Sequence, residues 1–162
     1  MNSKKPLTAD VAPLDATDLA MLRILETDGR ISVKDLADKV ALSASPVHER
    51  LKRLEATGVI KNYSAVLDAR KLGKSLMVIC YVSLQTHSKK AGTNFIQAIT
   101  EMDAVVECLT ISGQFDFMLK VICASMDDYY HFHVHELSAL ENVANVQSTF
   151  VMGVVKQSYR LL

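Results

Sequence analysis

Glycine is scarce, at six residues in 162, and none of the six lies in a phosphate-cradling loop or a dinucleotide fingerprint. The three cysteines, Cys80, Cys108 and Cys123, are an odd set without metal-ligand spacing. Each lies in an apolar run, the pattern of buried thiols in a reducing, cytoplasmic setting. No apolar run is long enough to span a bilayer, and residues 1–11 lack the apolar core of a secretion signal. No nucleophile–base pair is visible either, so the chain reads as a non-enzyme that needs no cofactor. Net charge is also missing, since eighteen basic residues cancel eighteen acidic ones.

What is present is ample apolar content, 49% of the chain, enough to fill one large domain or two small ones. The charge balance is an average that hides a local excess. Across residues 43–64, Arg50, Lys52, Arg53 and Lys61 stand against Glu49 and Glu55, a surplus of two. Phosphate neutralisation depends on charge at the interface rather than on the total. A surplus this small implies weak DNA binding by one copy and firmer binding by several acting together.

Residues 1–14 carry Lys4, Lys5 and two prolines without apolar periodicity, and are expected to form a flexible arm. A helix-turn-helix domain is expected over 15–64. Asp15 is a good N-cap with Asp18 three residues on, and Leu19, Met21, Leu22, Ile24 and Leu25 form a helical stripe that Asp28-Gly29 ends. Ser32 caps a second helix, with Asp35 at its third position and Leu36, Ala37 and Val40 inward. Ala41-Leu42-Ser43 is the turn.

Ser43 or Ser45 caps a third helix whose Val47, Leu51 and Leu54 fall at i, i+4 and i+7. At ~100° per residue its opposite side collects Ser45, Glu49, Lys52 and Arg53, flanked by His48 and Arg50. With Ser43 and Pro46 at the helix start, these are the candidate DNA contacts. The plain alternative is a solvated helix face. Three capped helices followed at once by the β-type run Val59-Ile60-Lys61-Asn62-Tyr63, expected as a wing or linking strand, favour DNA reading.

A polar linker at 65–74 leads to a second domain at 75–162. Residues 75–84 make a strand apolar on both faces, with Leu76, Val78, Cys80 and Val82 on one and Met77, Ile79 and Tyr81 on the other. Phe95, Ile96, Ile99 and Met102 then repeat at helical spacing. Strands are expected at 105–111 and 117–123, a helix around Tyr129, Phe132, His133, Leu137 and Leu140, and a last strand at 146–155. The order β-α-β-β-α-β is ferredoxin-like. The fold class is therefore α+β, an N-terminal winged helix-turn-helix plus a C-terminal ferredoxin-like βαββαβ domain. Helices then cover one sheet face and leave the other as an apolar partner site, most simply for a second copy.

The loop Ser112-Gly113-Gln114-Phe115-Asp116 is in its simplest reading a hairpin with Gly113 at positive φ. Thr110, Ser112 and Asp116 nevertheless place hydroxyls and a carboxylate beside Phe115 and exposed N–H groups. Those are the groups an α-amino acid needs for its ammonium, carboxylate and side chain. His131 and His135 stand one helical turn apart near Asp127 and Asp128, a chelating spacing without a second ligand cluster, so no metal is assigned.

Leu14-Asp15, Asp28-Gly29-Arg30-Ile31-Ser32, Leu42-Ser43, the run from Arg50 through Glu55, Gly58-Val59-Ile60, Tyr63-Ser64-Ala65, the SGQFD loop and Val155-Lys156-Gln157-Ser158 together carry a resemblance. The chain resembles the Lrp/AsnC, or feast/famine, family of transcription regulators over almost its whole length. The resemblance implies a DNA-binding N-terminal domain and a C-terminal domain that binds an amino acid or related metabolite between dimers. It places that effector near loop 113–116 and residues such as Thr149 and Phe150. Double-stranded DNA, a small-molecule effector and further copies, as homodimers assembling to tetramers or octamers, are the implied partners, with no membrane. A metal-responsive or ligand-independent architectural DNA-binding regulator is the alternative. Two departures from the family pattern stand out. Gln114 occupies a position that is often acidic, and Ala41 replaces a common turn glycine, where a left-handed alanine costs ~1 kcal/mol.

Overall fold

The computed structural model describes residues 13–86 and 88–162, so the expected arm falls almost wholly outside the described residues. The chain divides into two units, one running to Val66 together with Lys156–Leu162, the other Leu67–Val155. The terminal segment thus groups with the helices, not with the second domain to which its place in the sequence assigned it. The Glu26 carboxylate holds it there, accepting from the Leu161 and Leu162 N–H groups at 2.6 and 3.3 Å.

The first unit contains α1 (Ala16–Leu25), α2 (Val33–Lys39) and α3 (Ala44–Ala56). Asp15 opens α1 through a reciprocal box, in which the Asp18 N–H donates to Asp15 and the Asp15 N–H donates back to Asp18. Ser32 opens α2 by accepting from the Asp35 N–H at 3.1 Å. Met21, Leu36, Ala37, Val47 and Leu54 form the core where the helices meet, and Ala37 is the small residue at that contact. In the turn, Ala41 takes φ 54°, and the Leu42 N–H donates to the Ala37 carbonyl at 3.0 Å. That is the left-handed helix ending for which glycine is preferred.

Ser43 is the N-cap of α3, without a side-chain capping bond. Gly58, at φ 73°, follows its C-cap residue Thr57. The β-type run after it pairs with no strand among the described residues. Val59 and Ile60 instead pack into the helical core, and the Ile60 N–H donates to the Leu54 carbonyl. The Tyr63 hydroxyl donates to Glu55 Oε1 at 3.1 Å, and burial together with that carboxylate pushes its pKa up to about 12.

The second unit is a four-stranded antiparallel sheet in the order β2-β3-β1-β4. Its strands are β1 (Leu76–Leu84), β2 (Val105–Thr110), β3 (Phe117–Cys123) and β4 (Val143–Phe150). Helix α4 (Lys89–Thr100) and helix α5 (Met126–His131), prolonged by a π-helical turn at Phe132–Leu137, complete the βαββαβ order. Val78, Cys80, Val82 and Leu84 of β1 are buried with Leu119 and Val121 of β3 against Phe95, Ile99, Tyr129, Phe132 and Leu137. Across the pleat, Met77, Ile79 and Tyr81 stand opposite Ile122, Lys120 and Met118 on the other face, as the alternation predicts.

Two expectations need correction. The last strand occupies Val143–Phe150 rather than 146–155. It begins after Asn142, at φ 72°, and its ladder stops where β1 starts, the last bond running from the Val151 N–H to the Met77 carbonyl. Cys108 is exposed, whereas Cys80 and Cys123 are buried. Cys108 lies opposite buried Leu119, but β2 is a sheet edge, beyond the reach of full helical cover.

Ala41→Gly should stabilise the first unit by about 1 kcal/mol, because glycine takes a left-handed backbone without strain. Denaturant unfolding followed by circular dichroism checks this; an unchanged midpoint would show that the strain relieved does not exceed the entropy glycine adds to the unfolded chain.

Candidate nucleic-acid interface and effector loop

Helix α3 is fixed by its apolar side, with Val47 and Leu54 fully buried and Leu51 packed beside them. Ser43, Ser45, His48, Glu49, Lys52 and Arg53 are exposed, while Pro46 and Arg50 are half-buried. Among the described residues Lys52 takes part in no ion pair. The two arginines are engaged. Arg50 Nη1 donates to Asp15 Oδ2 at 2.6 Å and to Asp18 Oδ1 at 2.8 Å, and Arg53 Nη2 donates to Asp18 Oδ2 at 2.6 Å.

Asp18 itself is completely buried. A buried carboxylate is tolerated only when paired and hydrogen-bonded, and this one receives the Asp15 N–H and two guanidinium donors. Burial alone would raise the Asp18 pKa; the Asp15 N–H, Arg50 and Arg53 outweigh it and hold the group below its ordinary value. Asp15 is lowered as well, by the Asp18 N–H first and then by Arg50. These two acids are what the sequence reading missed. Their DxxD spacing is visible as a helix cap, but nothing local marks the arginines more than thirty positions away.

In the second unit, loop 111–116 closes the β2–β3 hairpin, with the Ile111 N–H donating to the Asp116 carbonyl at 3.0 Å and Gly113 at φ 124°. Ser112, Gly113 and Gln114 are exposed, as is Thr110 at the end of β2. Phe115 packs on Tyr81, ring centroids 5.4 Å apart. Asp116 braces the loop against β1: its N–H donates to the Val82 carbonyl at 2.9 Å, and its carboxylate accepts from the Leu84 N–H at 2.8 Å. Ser83 Oγ donates to the Gln114 carbonyl at 3.4 Å. Tyr81 and Ser83 therefore belong to this loop's surroundings, which sequence spacing did not indicate.

Thr149 and Phe150 lie on opposite faces of the sheet. Thr149 lies opposite Ile79 on the open face, three positions along β1 from Val82. Phe150 projects to the helical face, where its ring meets Tyr129 edge-on at 5.4 Å. Beside it Tyr129 bonds Ser148 and Cys80. The histidines are also separated: His131 and His135 are exposed with rings 4.9 Å apart, while the π-helical turn carries His133 inward to stack on Tyr129. Among the described residues no group of three metal-ligating side chains converges, and no helix is long and apolar enough to cross a membrane.

Residues 14–61 match a winged helix-turn-helix DNA-binding domain, and residues 77–161 match the Lrp/AsnC ligand binding domain. The leucine-responsive regulatory protein of Rhizobium meliloti is 36% identical over 145 residues, covering 90% of this chain and 93% of that protein. The chain belongs to the Lrp/AsnC family of transcription regulators. The Bkd operon transcriptional regulator of Pseudomonas aeruginosa is 35% identical over 90% of the chain and 95% of its own length. Among solved structures, a transcriptional regulator from Neisseria meningitidis in complex with L-methionine superposes with a TM-score of 0.87 at 31% identity, covering 93% of this chain and 97% of that one. An AsnC family regulator from Agrobacterium tumefaciens gives 0.85 at 32%, covering 91% and 96%. The Lrp/AsnC chain described here thus pairs a DNA-binding helical unit with a ligand-binding sheet unit.

Because the Asp15 and Asp18 pKa values are depressed on folding, their contribution to stability is fully present above the ordinary carboxyl value of 3.8. It is lost as pH falls through the depressed folded values. Circular dichroism should therefore show this Lrp/AsnC regulator's helical unit losing stability below about pH 4. Asp18→Asn should weaken the unit near neutral pH and flatten that acid limb; an identical pH profile in the variant would remove the carboxylate from this role.

Proposed function

We propose that this Lrp/AsnC regulator works as an assembly of copies paired through the open face of the sheet, with an apolar α-amino acid controlling its hold on DNA. The observation that carries the reading is the arrangement around β1. Its outer residues Met77, Ile79 and Tyr81 present an apolar face beside a loop with exposed Ser112 and Gly113 groups and the Phe115 ring. Sheet-to-sheet pairing covers that face and sets two copies of α3 at a fixed spacing. Phe150 lies on the other face of the sheet from the Phe115–Tyr81 pair, so a site that uses it together with the loop draws on a neighbouring copy.

The Neisseria regulator and a feast or famine regulatory protein from M. tuberculosis were each solved with L-methionine. Methionine and leucine are accordingly the first effectors to test. Within α3, Ser45, Glu49 and Lys52 lie farthest from the core and face base edges. The net charge of this helix is small, which makes several copies on one DNA the source of affinity.

Thermal-shift measurements across the twenty amino acids, on the full chain, should give a raised midpoint for an apolar one; a saturating ligand at a hundredfold its Kd adds about 2.7 kcal/mol. A flat response to all of them would favour a ligand-independent architectural regulator. Ile79→Lys should reduce the assembly to monomers in sedimentation, and unchanged sedimentation would place the interface elsewhere. Lys52→Ala should lower DNA affinity and reduce its salt slope by about one per contact. An unaltered affinity would reassign the reading face.

A further inference from the structure

The buried carboxylate of Asp18 does more than join two helices. We propose that Asp18 is a positioning residue for DNA binding, holding the Arg53 guanidinium as a pre-set phosphate clamp on the wall of the major groove. This rests on the DNA-binding reading of α3 and adds to it the residue that orients one contact.

The two arginines on this side of α3 are held differently. Arg50 points one nitrogen at two carboxylates, those of Asp15 and Asp18, and its side chain is 29% exposed. It is committed to the junction of α1 and α3. Arg53 gives one Nη2 donor to Asp18 and is 41% exposed. A guanidinium carries five N–H donors in a planar fork, so most of those on Arg53 remain for an outside acceptor. Arg53 also lies on the flank of the polar side of α3 that turns towards α1, where Asp18 holds it. When the side opposite the core faces base edges, that flank faces the sugar–phosphate wall.

Charge alone does not explain a role for this group. Two arginines and two aspartates sum to zero, so the cluster offers little long-range attraction. Its value is geometric: a long, flexible side chain is fixed in advance by a fully buried carboxylate that is itself bonded to the Asp15 N–H, and ordering it on binding then costs less entropy. Sign separates this from a purely structural or purely electrostatic role. Neutralising Asp18 makes the cluster more positive, which by electrostatics alone tightens DNA binding. Loss of positioning weakens it.

The test measures affinity for sheared mixed-sequence DNA, since phosphate contacts do not depend on sequence. The full chain is compared with Asp18→Asn, Arg53→Ala, their double variant and Arg53→Lys, each at a temperature where circular dichroism shows it folded. Asp18→Asn is expected to weaken binding roughly tenfold in the parent and to have almost no further effect in the Arg53→Ala background. Arg53→Lys, which keeps the charge, the exposed position and an independent route to folded protein, should weaken binding to a similar degree because the fork is lost.

Parent-like or tighter binding by Asp18→Asn would overturn the proposal, as would an equal penalty in both backgrounds. Parent-like binding by Arg53→Lys would overturn it without recourse to Asp18 variants. If the parent chain itself shows no salt-dependent binding, the DNA-binding reading of α3 fails first, an outcome distinct from any pattern among the variants.

Discussion

Strand β1 carries two apolar faces, and most of the second unit follows from that. It is hydrogen-bonded on both edges, to β3 and to β4. Its inner residues Val78, Cys80, Val82 and Leu84 are buried by α4 and by the α5 segment with its π-helical turn. Among the described residues no helix covers its outer residues. In an antiparallel sheet with helices on one side, the free face is ordinarily polar. Here it holds methionine, isoleucine and tyrosine in the central strand, and on the proposed function a second copy would supply the missing layer. The same strand braces loop 111–116, the candidate effector loop, through the Val82 carbonyl and the Leu84 N–H on Asp116. The proposed pairing face and the seating of the loop therefore share one element, which would give a ligand at the loop a physical route to the assembly.

The helical unit shows the complementary economy in charge. Of the cations on α3, Arg50 and Arg53 are held by Asp15 and Asp18, leaving Lys52 outside any ion pair among the described residues. Asp18 is the fully buried member of this cluster, and removing its guanidinium partners would leave that carboxylate uncompensated. Such a cluster specifies how α1 and α3 meet more than it adds to stability. With so little unengaged charge on α3, the proposed reading requires repetition of a modest contact over several copies to provide the strength.

Features set by neighbours in sequence were legible, and those set by distant partners were not. The caps at Asp15 and Ser32 and the helical periods of α2 and α3 depend on residues within four positions, and the structure reproduces them. Left-handed Ala41 was legible through the resemblance, as the residue replacing a common turn glycine. The alternation of β1 needs only period two. By contrast, Asp18 looked like a cap, and only the fold reveals the arginines 32 and 35 positions away. Exposure of Cys108 depends on β2 being an edge, and the end of β4 depends on where β1 begins. The separation of Thr149 from Phe150 was available from strand alternation, but the resemblance placed them together before that geometry was applied.

Reciprocity provides the most direct measurement of the central claim, that an amino acid bound to the sheet unit governs the grip of the helical unit on DNA. Fluorescence anisotropy gives DNA affinity with and without the amino acid, and calorimetry gives amino-acid affinity with and without DNA. Coupled sites must change each other's affinity by the same factor, of the order of 5- to 150-fold in typical cases. The account predicts one shared factor well away from unity. An amino acid that binds tightly and leaves DNA affinity unchanged would contradict it.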